Sequence, residues 1–164
     1  MMFDIWGKNG ELFLIRGLPG SGKTTLAYKF WEYAAYHYES GLESGHITHE
    51  DPPIMCSNDD YFYQDRDART GKGYGEYVYD GYRRKMAWTD CAGRVAEAMK
   101  AKRTAIFVHN TFARQLEINP YIRLAKQHGY KLTVMTCDGS YENTHRVPSD
   151  TIERMKANWE VVKL

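Results

Sequence analysis

The sequence predicts an α/β fold: a three-layer sandwich in which a parallel sheet of four to five strands carries helices on both faces. Three observations predict it. Short apolar, β-rich runs alternate with longer stretches of helical periodicity, the order that builds parallel sheets through crossover helices. A glycine-rich octapeptide, Gly17-Leu18-Pro19-Gly20-Ser21-Gly22-Lys23-Thr24, joins the first run to the first helix. The second and third runs end in polar residues, where ligands gather beyond the carboxyl ends of parallel strands.

The elements follow in order. Residues 1–10 are a short lead-in, where a fifth strand has room to hide. Residues 11–16 are apolar and strand-like. The helix that opens with Thr25 should reach about Tyr38, with Leu26, Phe30, Tyr33, Ala34 and His37 on one face. Residues 39–46 are a loop by composition, and His46 and His49 lack a third metal ligand, so a solvated loop is expected. Residues 53–57 form the second strand, ending in Asn58-Asp59-Asp60-Tyr61-Phe62. The polar, glycine-rich stretch 63–76 reads as an exposed excursion, either a plain surface loop or a cover for substrate.

From about Asp80 to Lys102 the period is helical, with Tyr82, Met86, Cys91, Val95 and Met99 as its apolar stripe. Residues 104–108 are the third strand, ending in His109-Asn110-Thr111. Glu117 to His128 is an amphipathic helix closed by Gly129, with Pro120 near its start. Residues 130–136 are the fourth strand. Ser149 or Asp150 should cap a last helix bearing Ile152, Met155 and Trp159.

Composition narrows the function. A length of 164 residues suits one domain with a real core. A net charge of +1 gives no global attraction to nucleic acid or membrane, so a polyanion needs a local patch. No apolar run approaches a membrane span, and the N-terminus has no basic and apolar regions of a signal peptide. Cys56, Cys91 and Cys137 are widely spaced, which fits packed thiols in a reducing compartment; a cytoplasmic location is expected.

The octapeptide fits G-x-x-x-x-G-K-[ST] at every fixed position, between a strand and a helix. Its glycines let successive N–H groups turn toward a phosphate, and the helix beginning at Thr24-Thr25 adds its positive end. Lys23 is placed to reach the β- and γ-phosphates of ATP and the Thr24 hydroxyl to ligate Mg²⁺. There is no N-K-x-D motif, and the best apolar run for a hydrolysing motor, 105–108, ends in His109 rather than an acid. Transfer to a hydroxyl needs a base, and Asp59 stands at the end of the second strand with Asp60 beside it. The plainer alternative is that Ser57-Asn58-Asp59-Asp60 caps a short helix.

The runs Gly17–Thr24, Asn58-Asp59-Asp60-Tyr61 and Asn110-Thr111 resemble the kinase domain of phage polynucleotide 5′-hydroxyl kinase and its small stand-alone relatives. Similarity continues through Tyr77-Val78-Tyr79-Asp80, Pro120-Tyr121 and Asn143-Thr144-His145-Arg146-Val147-Pro148, nearly the whole chain. The resemblance implies one P-loop kinase domain over 1–164, with Asp59 as general base, Lys23 on the phosphates, Thr24 on Mg²⁺ and Arg146 as a lid arginine. By their place on the strand-end rim, Asp60, Tyr61, Asn110 and Thr111 are acceptor-side candidates, with Asp60 able to orient Asp59 or hold a Mg²⁺ water and Arg114 as the best single cation. The chain departs from the family where an arginine should follow Asp-Asp-Tyr, where His109 replaces an Asp, and in a short lid between Asp138 and Val147. The expected acceptor is a nucleic-acid 5′ end; a nucleoside or other small hydroxyl compound is the alternative, and a module that only binds nucleotide is the third. Arg66, Arg69, Lys72, Arg83 and Arg84 among Tyr61, Tyr63, Tyr74, Tyr77 and Tyr79 could grip a strand, or the tyrosines could simply pack beneath the loop.

Overall fold

The computed structural model of the chain describes residues 9–45 and 52–164. Most of the lead-in, where a fifth strand had room, and the loop with His46 and His49 lie outside the described residues. The elements are β1 (Glu11–Gly17), α1 (Lys23–Glu43), β2 (Ile54–Cys56), a 3-10 helix (Asn58–Phe62), β3 (Tyr63–Arg66), β4 (Gly73–Tyr77), a 3-10 turn (Gly81–Arg83), α2 (Arg84–Lys100), β5 (Ala105–Asn110), α3 (Gln115–His128), β6 (Lys131–Cys137) and α4 (Ser149–Ala157).

Four strands form the main sheet, all parallel as the sequence predicts, in the order β2-β5-β1-β6. The period-2 alternation of side chains sorts the core into two layers. Leu12, Leu14, Cys56, Ile106 and Val108 face α2 and α3, where Cys91, Val95, Met99, Ile118 and Ala125 meet them. Ile15, Met55, Ala105 and Phe107 face α1 through Ala27, Trp31, Ala34 and Ala35. Phe13 stacks on Phe107 at 4.9 Å between ring centroids. Each such fully buried large side chain contributes about 1.5–3 kcal/mol over leaving it in water. Because β1 and β5 are both covered on their two faces, the loops at their carboxyl ends sit on a rigid base.

Expectations for four stretches of the chain are corrected. Helix α1 runs past Tyr38 to Glu43: Gly41 inside it costs only about 1 kcal/mol, and no proline interrupts it. It ends where Gly45 adopts φ 71°. Its buried face is Ala27, Trp31, Ala34, Ala35 and Tyr38; Tyr33 and His37 are exposed and meet each other edge-on at 4.3 Å. Residues 63–76 form an antiparallel hairpin instead of an excursion. The Asp67 carboxylate accepts from Thr70 N at 2.6 Å, closing the turn, and Met55 N donates to Thr70 O at 2.8 Å, tying the tip to β2. On α2 the buried stripe begins at Ala87, leaving Tyr82 and Met86 exposed. The last helix starts at Ser149, with Pro148 at the cap position and no side-chain cap, and Trp159 lies beyond its end, under the Arg16 guanidinium at 4.0 Å. Among the described residues no helix is long and apolar enough to cross a membrane.

Candidate active site at the strand ends

The octapeptide leaves β1 and wraps over the start of α1. Gly20 and Gly22 have φ 78° and 90°, conformations that L side chains rarely adopt. The loop closes on itself through Ser21 N donating to Leu18 O at 3.0 Å. A Cβ on Gly17 would collide with Ser21, and one on Gly20 would lie 2.7 Å from Tyr141 O. Ser21 is buried and its hydroxyl has no partner. Leu18 and Pro19 are half-buried, while Thr24 and Thr25 are exposed on the first turn of α1. Lys23 Nζ donates to Leu18 O at 2.8 Å. Burial pulls its ammonium below the usual value, against the pull of the Asp59 and Cys137 charges. The unpartnered Ser21 hydroxyl, the Lys23 ammonium and the N-terminus of α1 converge on this cradle, and that donor set fits a nucleotide's phosphates.

Thr24 Oγ1 lies 3.4 Å from Nδ1 of His109, at the end of the adjacent strand β5. Burial brings the His109 imidazole down to about 4 despite the nearby Asp60 and Asp59 carboxylates, so it is neutral near pH 7. Among the described residues no group of three His, Cys, Asp or Glu could cage a metal. A hydroxyl beside a neutral imidazole fits Mg²⁺ held chiefly by phosphates and water, the ion's usual manner.

Asp59 and Asp60 are neighbours with different surroundings. Ser57 caps the 3-10 helix, its hydroxyl accepting from Asp59 N at 3.1 Å, so the capping alternative holds for the backbone. Asp60 is 3% exposed, and its carboxylate accepts from Ser57 N (2.7 Å), Gly73 N (2.8 Å) and Arg94 Nη1 (2.9 Å). It fastens the 3-10 helix to the hairpin and to α2, which removes it from the substrate-facing set. The Asp59 side chain is 45% exposed. Its Oδ1 accepts from Tyr77 OH at 3.2 Å and its Oδ2 lies 3.3 Å from Nδ1 of His145. Burial raises the Asp59 pKa, but the His145 hydrogen bond and charge, then His109 and Tyr77, outweigh it, so the carboxyl sits below its ordinary range.

Asn110 is buried, and its Oδ1 accepts from Asn58 N at 2.8 Å while its Nδ2 donates to Cys91 Sγ at 3.8 Å. It braces the helix that carries Asp59 rather than facing substrate. Thr111 O accepts from Gly17 N at 3.3 Å, linking the two strand ends. Arg114 turns its guanidinium to Asn158 Oδ1, 2.8 Å away. Tyr61 OH accepts from Arg83 Nη2 at 2.9 Å. Arg146 is exposed, with φ 50°, on the segment joining β6 to α4.

That segment touches both halves of the site. Tyr141 N donates to Gly20 O at 2.8 Å, and four residues later His145 reaches Asp59. The sequence reading missed the parts played by Tyr77, His145 and Tyr141; they stand far from the octapeptide in the chain, and no spacing rule connects them.

Residues 12–147 match the AAA_33 family, described as an AAA domain. The chain belongs to this family. It is a P-loop nucleotide-binding domain of kinase-like α/β fold. The chain is 29% identical over 160 residues to human NEDD4-binding protein 2, covering 91% of this chain and 8% of that protein. It therefore spans a small fraction of that relative's length. Among solved structures it resembles Chaetomium thermophilum Kti12 in complex with ADP-AlF3, at a TM-score of 0.56 and 15% identity, covering 92% of this chain and 80% of that one. It also resembles a chain of the Pnkp1/Rnl/Hen1 RNA repair complex, at a TM-score of 0.50 and 16% identity, covering 94% of this chain and 40% of that one. At these identities the likeness is one of fold.

Proposed function

We propose that this AAA-family domain is an ATP-dependent phosphotransferase that passes the γ-phosphate to a hydroxyl, with the 5′-hydroxyl of a polynucleotide as acceptor. One observation carries the reading: a half-exposed carboxylate, Asp59, is held by two donors at the end of β2 and is electrostatically coupled to the cradle's Lys23. Transfer to a hydroxyl requires a base and positive charge on the transferred phosphate, and these two groups can supply them.

Lys23, the cradle N–H groups and the α1 N-terminus hold the donor's phosphates. Asp59 accepts the acceptor's hydroxyl proton as the new O–P bond forms and the bond to the β-phosphate oxygen breaks, releasing ADP. Arg146, on the segment between β6 and α4, supplies positive charge to the transferred group. The Thr24 hydroxyl would help hold Mg²⁺, which would supply charge neutralisation for the phosphates.

The polynucleotide assignment rests on the surface beyond Asp59. Tyr61 leads from Asp59 to Arg83, whose guanidinium lies over its ring at 4.9 Å, and then to the fully exposed Tyr82 and the exposed Met86. Arg84 lies over Trp88 at 5.6 Å. Arg83, Arg84 and Lys85 crowd the N-terminus of α2, against its dipole. Cations placed at that cost beside open aromatic faces suit a phosphodiester strand with stacked bases. The fold shared with a chain of an RNA repair complex agrees with it.

A second reading, a nucleoside-sized acceptor, is favoured by a pocket of about 430 Å³ lined in part by Tyr61, Phe62, Gln64, Glu76 and Arg83. We place the protein in the cytoplasm, consistent with its free Cys56, Cys91 and Cys137. The deciding experiment offers γ-labelled ATP with 5′-hydroxyl oligonucleotides and, separately, nucleosides. Label on the oligonucleotide supports the first reading and label on the nucleoside alone the second. Binding of ATP with no transfer to any acceptor leaves a nucleotide-binding module.

A further inference from the structure

We infer that His145 is the positioning residue for Asp59, a role that rests on the transfer reading above. His145 makes three contacts, all on the acceptor side. Its Nδ1 lies 3.3 Å from Asp59 Oδ2, its Nε2 lies 3.4 Å from Tyr63 OH, and its ring stacks on Tyr77 at 4.5 Å with 12° between planes. Tyr63 and Tyr77 are themselves paired across the hairpin, their rings 4.9 Å apart.

These distances set the hydrogen bonds around the carboxylate. His145 donates its Nδ1–H to Asp59 Oδ2, while Nε2 shares a hydrogen bond with the Tyr63 hydroxyl. Tyr77 OH donates to Asp59 Oδ1. Each carboxylate oxygen then has one protein donor and keeps a lone pair for the acceptor's hydroxyl proton. The two donors fix the carboxylate plane, which a half-exposed side chain would otherwise leave to rotate.

The position of His145 in the chain gives this contact a second consequence. The segment between β6 and α4 is bonded to the cradle through Tyr141 N and Gly20 O, and Arg146 follows His145 directly. The stretch that carries a cation for the phosphates therefore also carries the group that aligns the base.

The test uses His145→Ala, His145→Asn and His145→Gln. Asn places a donor where Nδ1 was, whereas Gln reproduces Nε2. His145→Ala should lower kcat for transfer about 10- to 100-fold with the nucleotide Kd unchanged, Asn should recover most of it, and Gln should not. A loss in Ala that Asn fails to restore, or a loss of nucleotide affinity with kcat preserved, overturns the inference. A readout independent of any acceptor is the imidazole ¹⁵N spectrum of the wild-type chain. His145 should be the Nδ1–H tautomer and leave that state in Asp59→Asn; a Nε2–H tautomer in the wild type refutes it. If wild type transfers no phosphate while the tautomer is as stated, the transfer reading fails and the His145–Asp59 contact stands.

Discussion

The phosphate cradle is a run of consecutive residues, Gly17 to Thr24, whereas the wall facing it is assembled from the 3-10 helix at 58–62, the hairpin, the start of α2 and the segment around His145. The cradle's geometry is local: glycines at φ 78° and 90° and a helix N-terminus fix where the N–H groups point. The opposite wall depends on distant contacts, from Asn110 to Asn58, from Asp60 to Arg94, and from His145 to Asp59. A site with one locally fixed half and one assembled half can keep its donor chemistry while its acceptor surface changes. The departures from the kinase pattern, at His109, after Tyr61 and in the short lid, fall mostly on the assembled side.

The neighbouring carboxylates give the sharpest test of that contrast. Asp59→Asn should lower kcat by about 10²- to 10⁴-fold, the usual worth of a positioned base, with nucleotide affinity and urea stability nearly unchanged. A normal kcat would remove Asp59 from the chemistry. Asp60→Ala should do the reverse of a clean active-site change: it strands the largely buried Arg94 and loses about 3–5 kcal/mol of stability in urea unfolding. An Asp60→Ala chain of full stability that fails only in transfer would return Asp60 to the substrate side.

Acid should weaken the fold from the strand ends. Burial brings the His109 pKa to about 4 in the folded chain, below the ordinary imidazole value of 6.5. Between these values the unfolded chain binds more protons. Its contribution is therefore fully present above about 6.5 and declines as pH falls toward 4, by on the order of 3 kcal/mol. Stability measured against pH should show that slope, and His109→Asn should flatten it. The smallest expected effects lie on the open surface. Tyr82→Ala and Arg83→Ala should each raise the oligonucleotide KM about 10-fold, with the stability and nucleotide affinity of the wild type. Arg83→Ala should also reduce the salt dependence of acceptor binding. Equal KM values would point to the pocket beside Tyr61 as the acceptor's seat.

The parallel sheet, the order of strands and helices and the phosphate cradle were legible in the sequence, because each follows from neighbours in the chain. Periodicity separates strand from helix, and a glycine pattern of fixed spacing specifies a turn whatever surrounds it. The hairpin at 63–77 was not legible, since its turn is closed by the Asp67 carboxylate and its tip is held by β2. Nor were the different fates of Asp59 and Asp60. Both are acids on the same short turn, and only the placement of Arg94, Tyr77 and His145 in three dimensions buries one carboxylate in a structural ion pair and leaves the other facing the cradle. The sequence determined the cradle and its place at the end of β1; tertiary packing decided which acid stays open beside it, because orientation comes from contacts between segments that the chain keeps far apart.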